Sequence, residues 1–256
     1  MEFFKTIVEI VELYYKQILR GVGSTVVIAL VSTVIGLILG IIAGVIKTTP
    51  SSKNPIIKGI QKTVNFLISC YVEIFRGTPM MVQAAVIYWG YAFLAHETLP
   101  ELPSAIFIVS INTGAYMAEI VRGGIMSIDK GQFEGAKALG MTHAQTMIHV
   151  VIPQVLKNIL PAVSNEFVIN IKDTSVLSII GVKEFFYQID IAAKTTYNQF
   201  ECFAIACVIY FILTFTVTRI LRLFEKKLHG KDDYTICGSQ SDFNSQIKVK
   251  GGANNE

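Results

Sequence analysis

Glu166, Asn170 and Asp173 stand at i, i+4 and i+7, which places them on one face of any helix that carries them. Their surroundings, residues 151–181, are otherwise largely apolar, with Lys157 and Lys172 the other charges. Four charges are costly against hydrocarbon, so this segment must turn its polar face to protein or water. Such a face could hold a cation. It could also pair internally, Glu166 with Lys172, Arg76 or Arg122, or line a pore or a subunit interface without a ligand. Lys172, beside Asp173, reads as support facing the cytosol or an interface. Glu73/Arg76 and Glu119/Arg122 are i, i+3 pairs that neutralise themselves on one helix face or act as gates or bridges between helices. Enzymatic chemistry finds no footing. His96, His143, His149 and His229 fall outside the long apolar runs and show no HExxH spacing. Cys70, Cys202, Cys207 and Cys237 show no CxxC and no paired His, so neither a metal site nor a disulfide framework is expected. No GxxxxGK[ST] loop occurs, so the chain should not hydrolyse ATP itself.

The elements that must carry these residues are membrane helices. Of 256 residues, 52% are hydrophobic and only 16% charged, with mean hydropathy +0.52. A soluble globule of this size could not hide that much apolar surface, and a disordered chain would not carry it. A net charge of +3 without a basic run excludes a nucleic-acid binder. Crossing about 30 Å of hydrocarbon takes about 20 apolar helical residues. Runs at 21–46, 77–96, 102–118 (extending to 126), 151–181 and 202–218 meet that need, giving an all-α protein of five spans. The second span either starts near Lys62 and kinks at Gly77/Pro79, or starts near Gly77 after an interfacial helix. Four lysines at 47–62 and five basic residues at 219–231 mark cytoplasmic ends; Glu97 and Glu101 mark an external loop. The N-terminus is then outside and the C-terminus in the cytoplasm. Residues 1–20 are expected as an external amphipathic helix, 21–228 as the transmembrane domain, and 229–256 as a polar, disordered cytoplasmic tail. Tyr88, Trp89 and Tyr91 read as interfacial anchors, and Gly36, Gly40 and Gly44 as a helix-packing stripe.

The loop at 127–152 is too apolar for an ordinary connection. Residues 132–139 are good helix formers, and Gly140 stops them as a C′ glycine does. Thr142 and Gln145 fit a capping box that starts a second helix, with Ala144, Met147, Ile148 and Val151 at helical spacing. Pro153 falls where the chain is expected to turn back to the membrane. An apolar face there implies a partner, or a loop folded onto its own bundle.

Glu134, Gly135, Ala136, Gly140 and Pro153 resemble the EAA signature of bacterial ABC importer permeases, Glu-Ala-Ala-x3-Gly-x9-Ile-x-Leu-Pro, with matching spacing throughout. Gly135 replaces the first Ala, Val150 the Ile and Ile152 the Leu. EIFRGTP (73–79) followed by Gln83, NTGAYMAEIVRGGI (112–125) running into KGQFE (130–134), and NIKDTSVL (170–177) are similar to the polar amino-acid branch of that family. The resemblance covers about residues 15–225.

It implies a multi-pass subunit of a bacterial plasma membrane. Its partners would be a second permease subunit, identical or homologous, a cytoplasmic ABC ATPase dimer that binds ATP and Mg, and an external substrate-binding protein. The substrate would be an amino acid: basic amino acids, glutamine, glutamate and cystine all remain open. The resemblance assigns ATPase coupling to Glu134, Gly135, Ala136, Gly140, Thr142, Met147 and Pro153. Glu166, Asn170 and Asp173 are the substrate-path candidates, and Glu73, Arg76, Gly77, Pro79, Glu119 and Arg122 the structural or gating set. A stand-alone secondary carrier or channel is the alternative; it would not need the apolar helix–Gly–helix loop.

Overall fold

The computed structural model describes residues 2–229, and everything in them that is regular is helical. The expected tail at 229–256, Cys237 included, lies outside the described residues apart from His229.

The first helix, α1 (Glu2–Thr48), is uninterrupted over 47 residues, about 70 Å at 1.5 Å per residue. The amphipathic start at 1–20 therefore continues directly into the first apolar run. α2 (Pro55–Gly77) and α3 (Met80–Ala95) are separate helices. Asn54 caps α2 by accepting from the Ile56 N–H at 3.0 Å, with Pro55 at its first turn, where a missing N–H costs nothing. The break between α2 and α3 follows from Pro79. It pushes Thr78 to an extended conformation (φ −123°, ψ 147°) and cannot donate back into α2.

α4 (Glu101–Met126) is the central helix. It packs along α1 through Gly36, Gly40 and Gly44, where an added Cβ would collide with Thr113, Met117 and Val121 of α4. The glycine stripe thus joins two helices of one chain, in the close approach that small residues permit. α5 (Lys130–Ala138) and α6 (His143–Thr146) follow, then a π-helical turn (Met147–Val151) leading into α7 (Ile152–Asp173). A 3₁₀ stretch (Thr174–Ile180) ends at Gly181, and α8 (Phe185–Thr196) and α9 (Gln199–His229) complete the fold.

Among the described residues, four helical stretches are long and apolar enough to cross a membrane: Glu2–Thr48, Glu101–Met126, His143–Ile180 and Gln199–Lys227. Met80–Ala95 is a shorter apolar helix. The interior holds Ile28, Ile108 and Leu177 between α1, α4 and the 3₁₀ stretch, and Val121, Val151 and Val155 between α4 and α7. Tyr88 belongs to this interior, 6% exposed, with its hydroxyl donating to the Leu99 carbonyl. It is therefore a core residue; only Trp89 and Tyr91 are exposed as anchors would be.

Candidate functional site

At mid-molecule, three helices meet at Asn170. Its Oδ1 accepts from Thr113 Oγ1 of α4 (3.1 Å), and its Nδ2 donates to Thr33 Oγ1 of α1 (2.8 Å). Glu166 is one turn back on α7 and 4% exposed; Asp173 is half-buried at the end of the helix. The sequence-predicted face is thus real, and its members divide the work. Asn170 is engaged at both ends of its amide and fastens α7 to α1 and α4. Tyr116 of α4 lies in the electrostatic field of Glu166, Arg76 and Asp173. The Arg76 guanidinium carbon stands 5.4 Å from the centre of the Tyr116 ring, within cation–π range. α2 and α4 therefore bring a cation and a phenol together, with the two acids of α7 acting on that phenol through space.

Arg76 is placed by the α2–α3 break. Ending α2 at Gly77 frees carbonyls that must find donors. Gln83 Nε2 donates to the Phe75 and Thr78 carbonyls, both at 2.9 Å. Asn112 Nδ2 donates to Gln83 Oε1 at 2.9 Å and to the Phe75 carbonyl at 3.3 Å. The break is thereby stitched to α4. Gln83, Asn112, Thr113 and Thr33 were not singled out from sequence as site residues, although the first three sit inside the quoted motifs. A Gln four residues after a Pro that breaks a helix was the available signal.

The 127–152 segment folds largely as read. Asp129 caps α5 through the Gly131 N–H. Gly140 takes φ +76°, a left-handed conformation that L-residues rarely adopt, and the Met141 N–H closes back to the Ala136 carbonyl at 3.1 Å. The Thr142/Gln145 capping box is formed in both directions.

Two expectations fail here. The chain does not turn at Pro153, since His143–Asp173 runs on as continuous helix. A proline inside a helix clashes with the carbonyl four residues back and removes a donor, and the π turn just before it absorbs the extra room, with Ile152 N–H bonding Met147 O. The turn is made at Gly140 instead. Met147 is also not part of an outward face. At 3% exposure it packs with Val121, Ile125 and Val155, while Ile148, about 100° further round, is 64% exposed. Leu139, 82% exposed, stands on the same projecting unit. Glu134 and Gly135 are exposed on α5, and Ala136 is buried beneath it.

Residues 36–230 match the family model described as binding-protein-dependent transport system inner membrane component. The chain belongs to this family. The permease is 36% identical over 215 residues to the arginine transport system permease protein ArtQ of Bacillus subtilis (strain 168), covering 84% of this chain and 94% of that protein. It is 37% identical over 169 residues to the L-cystine transport system permease protein TcyB of the same organism, covering 65% of this chain and 71% of that one. Among solved structures, an amino acid ABC transporter with histidines superimposes with TM-score 0.73 at 36% identity, over 86% of this chain and 98% of that one. The permease is accordingly a membrane-spanning, all-helical subunit of the amino-acid ABC importer type.

The remaining motif residues of the permease fall into two groups. Glu119 bridges helices: Arg122 Nη2 on its own helix donates to it at 2.8 Å, and Lys47 Nζ at the end of α1 at 3.2 Å. The self-neutralising and bridging readings of Glu119 thus both hold. Glu73 is exposed, while Gly77 and Pro79 frame the α2–α3 break. Sequence reasoning missed Glu184, fully buried at the start of α8. It accepts from the Phe186 and Tyr187 N–H groups (2.9 and 2.6 Å), from Thr25 of α1 (3.2 Å) and from Tyr210 of α9 (3.4 Å). Two cues were available for α8 and neither was used: Phe185, Ile189, Ala192 and Ala193 stand at i, i+4, i+7 and i+8, and an N-cap acid precedes them.

Proposed function

We propose that the permease forms the translocation path of an importer for cationic amino acids, and that a partner ATPase drives it through the α5–α6 unit. The carrying observation is Arg76 over the Tyr116 ring, with Glu166 and Asp173 of α7 in the same electrostatic field. A cationic amino acid presents one carboxylate and two cations. One guanidinium and two carboxylates are its complement, and charge-assisted contacts are the ones strong enough to compete with water. Asn170, Thr113 and Thr33 hold the helices that carry this set.

In this reading α1, the broken α2–α3, α4, α7 and α9 make five crossings, with the N-terminus outside and the C-terminus inside. This topology brings Lys53, Lys58 and Lys62 to the inner face together with α5 and α6. The Leu139 and Ile148 side chains then form the apolar foot that enters an ATPase subunit, one for each copy of the permease. Gly140 keeps the two short helices at a fixed angle. Closure of the ATPase dimer on ATP and Mg moves the foot, and α4 and α7, which it joins, rock the path between inward- and outward-open states. An external binding protein delivers the amino acid to the other face. Glu73, exposed near the break, and the Glu119–Arg122–Lys47 bridge are candidates for gates that respond to this rocking.

The test is co-reconstitution with a candidate ABC ATPase and substrate-binding protein from the same organism. Arginine with binding protein should raise ATP hydrolysis several-fold and drive uptake. Glu134→Lys and Gly140→Pro should each abolish uptake and leave hydrolysis unresponsive to arginine. Normal transport in both variants would remove the lever, and hydrolysis indifferent to binding protein and amino acid would remove the importer.

A further inference from the structure

We propose that α2 lines the inner half of the substrate path, with Asn65 and Ser69 as its polar contacts between Arg76 and the cytosol. This rests on the importer reading above and extends it to residues outside the family motifs. α2 carries Lys58, Lys62, Asn65, Ser69, Glu73 and Arg76 at steps of 4, 3, 4, 4 and 3. At about 100° per residue, these six fall within about 80° of the helix circumference. The other side chains of α2 that bear oxygen or nitrogen are engaged locally or on α4. Gln61 Oε1 accepts from the Ser52 N–H (2.8 Å), and Thr63 Oγ1 donates to the Gly59 carbonyl (3.2 Å). The Tyr71 hydroxyl donates to the Ile111 carbonyl of α4 (2.6 Å).

Two other faces of α2 are accounted for. Val72, with Ile68 and Tyr71 beside it, packs on Ala43 of α1 and Ala118 of α4. Ile60, Leu67 and Ile74 are exposed on a separate apolar face, which suits hydrocarbon. The polar stripe belongs to neither. One end of it is fixed by Arg76, which stands over Tyr116 in the field of Glu166 and Asp173. Residues at the same azimuth further back along α2 open toward the same space. Hydrocarbon cannot solvate such a stripe, so it borders water. Lys58 and Lys62 are exposed at its other end, and Asn65 and Ser69 are half-buried between them and Arg76. Asn65 Oδ1 is shielded from solvent and has no hydrogen-bond partner among the described residues. A shielded amide oxygen is costly until a donor meets it, and the ammonium of an amino acid is such a donor.

The full-length permease, its four cysteines replaced by serine, would be reconstituted with a candidate ABC ATPase and substrate-binding protein. Asn65→Cys, Ser69→Cys and Leu67→Cys would each be treated from the cytoplasmic side with a membrane-impermeant cationic thiosulfonate. Without nucleotide, Asn65→Cys and Ser69→Cys should react and lose uptake. Leu67→Cys, at the same depth on the apolar face, should stay unreactive. ATP with vanadate, which holds the ATPase dimer closed, should slow both reactions about 10-fold. Asn65→Leu, untreated, should lower arginine uptake about 10-fold and keep hydrolysis responsive to binding protein. Unreactive cysteines at both positions in a complex that transports would overturn the proposal, as would equal labelling of Leu67→Cys. Labelling indifferent to vanadate would overturn it too, and would assign α2 to the membrane surface. Wild-type hydrolysis indifferent to binding protein and amino acid would instead remove the importer reading, and the path with it.

Discussion

Glu166 is surrounded by helices and lies in the same electrostatic neighbourhood as Arg76 and Asp173. A charge-assisted contact in such a place is worth roughly 1.5–3 kcal/mol. Glu166→Gln should therefore lower arginine uptake by about 10- to 100-fold in proteoliposomes, with Glu166→Asp recovering part of it. Unchanged uptake in Glu166→Gln would take the residue off the path. A different outcome is expected at Gly135, where the EAA resemblance has its one non-alanine. An added Cβ there meets nothing within 4 Å, so alanine fits without strain. Gly135→Ala should stabilise α5 by about 0.5–1 kcal/mol through helix propensity alone, read as a higher unfolding temperature in detergent. A lower temperature would contradict the open environment seen around it. Met147 and Ile148 show the limit of residue-level reading. Both are apolar and adjacent, and only the packing of α4 and α7 decides that the first turns in and the second turns out.

At the scale of elements, α1 and α4 are held by a glycine stripe, and their approach leaves no room for larger side chains. Gly40→Val should force valine into Met117 and cost about 1–3 kcal/mol of stability, with loss of folded protein in detergent. Gly23→Val is the matched control, since an added Cβ there meets nothing within 4 Å, and it should leave the yield unchanged. The α2–α3 break is a second element-level decision. Its location at Gly77–Pro79 was legible, because proline removes a donor and constrains the residue before it. Its repair by Gln83 and Asn112 was not, since 29 residues separate the two side chains that meet there. The same holds for the π turn before Pro153: the proline is visible in the sequence, but whether a helix bends, ends or widens around it depends on what the next helix needs to bury. α8 was missed altogether, because its twelve residues are too short to cross a bilayer, although Phe185, Ile189, Ala192 and Ala193 keep a helical period.

For the whole molecule, the membrane character, the all-helical class and the family motifs follow from local order along the chain. Apolar run length sets which segments can cross a bilayer, glycine and threonine set where the short helices of the α5–α6 unit start and stop, and basic residues set the orientation expected of the spans. These depend on a residue and its near neighbours, so 256 residues in order suffice. The tertiary structure alone decided which polar residues serve each other. It spent Asn170 on Thr33 and Thr113, set Arg76 over Tyr116, closed Glu119 with Lys47, and buried Glu184 among α1, α8 and α9. The partners are separated by 40 to 159 residues in most of these contacts, and Glu119 and Lys47 by 72. A hydrogen bond or ion pair of about 3 Å is a statement about position in space, and helices packed side by side bring together residues whose separation along the chain says nothing of their distance.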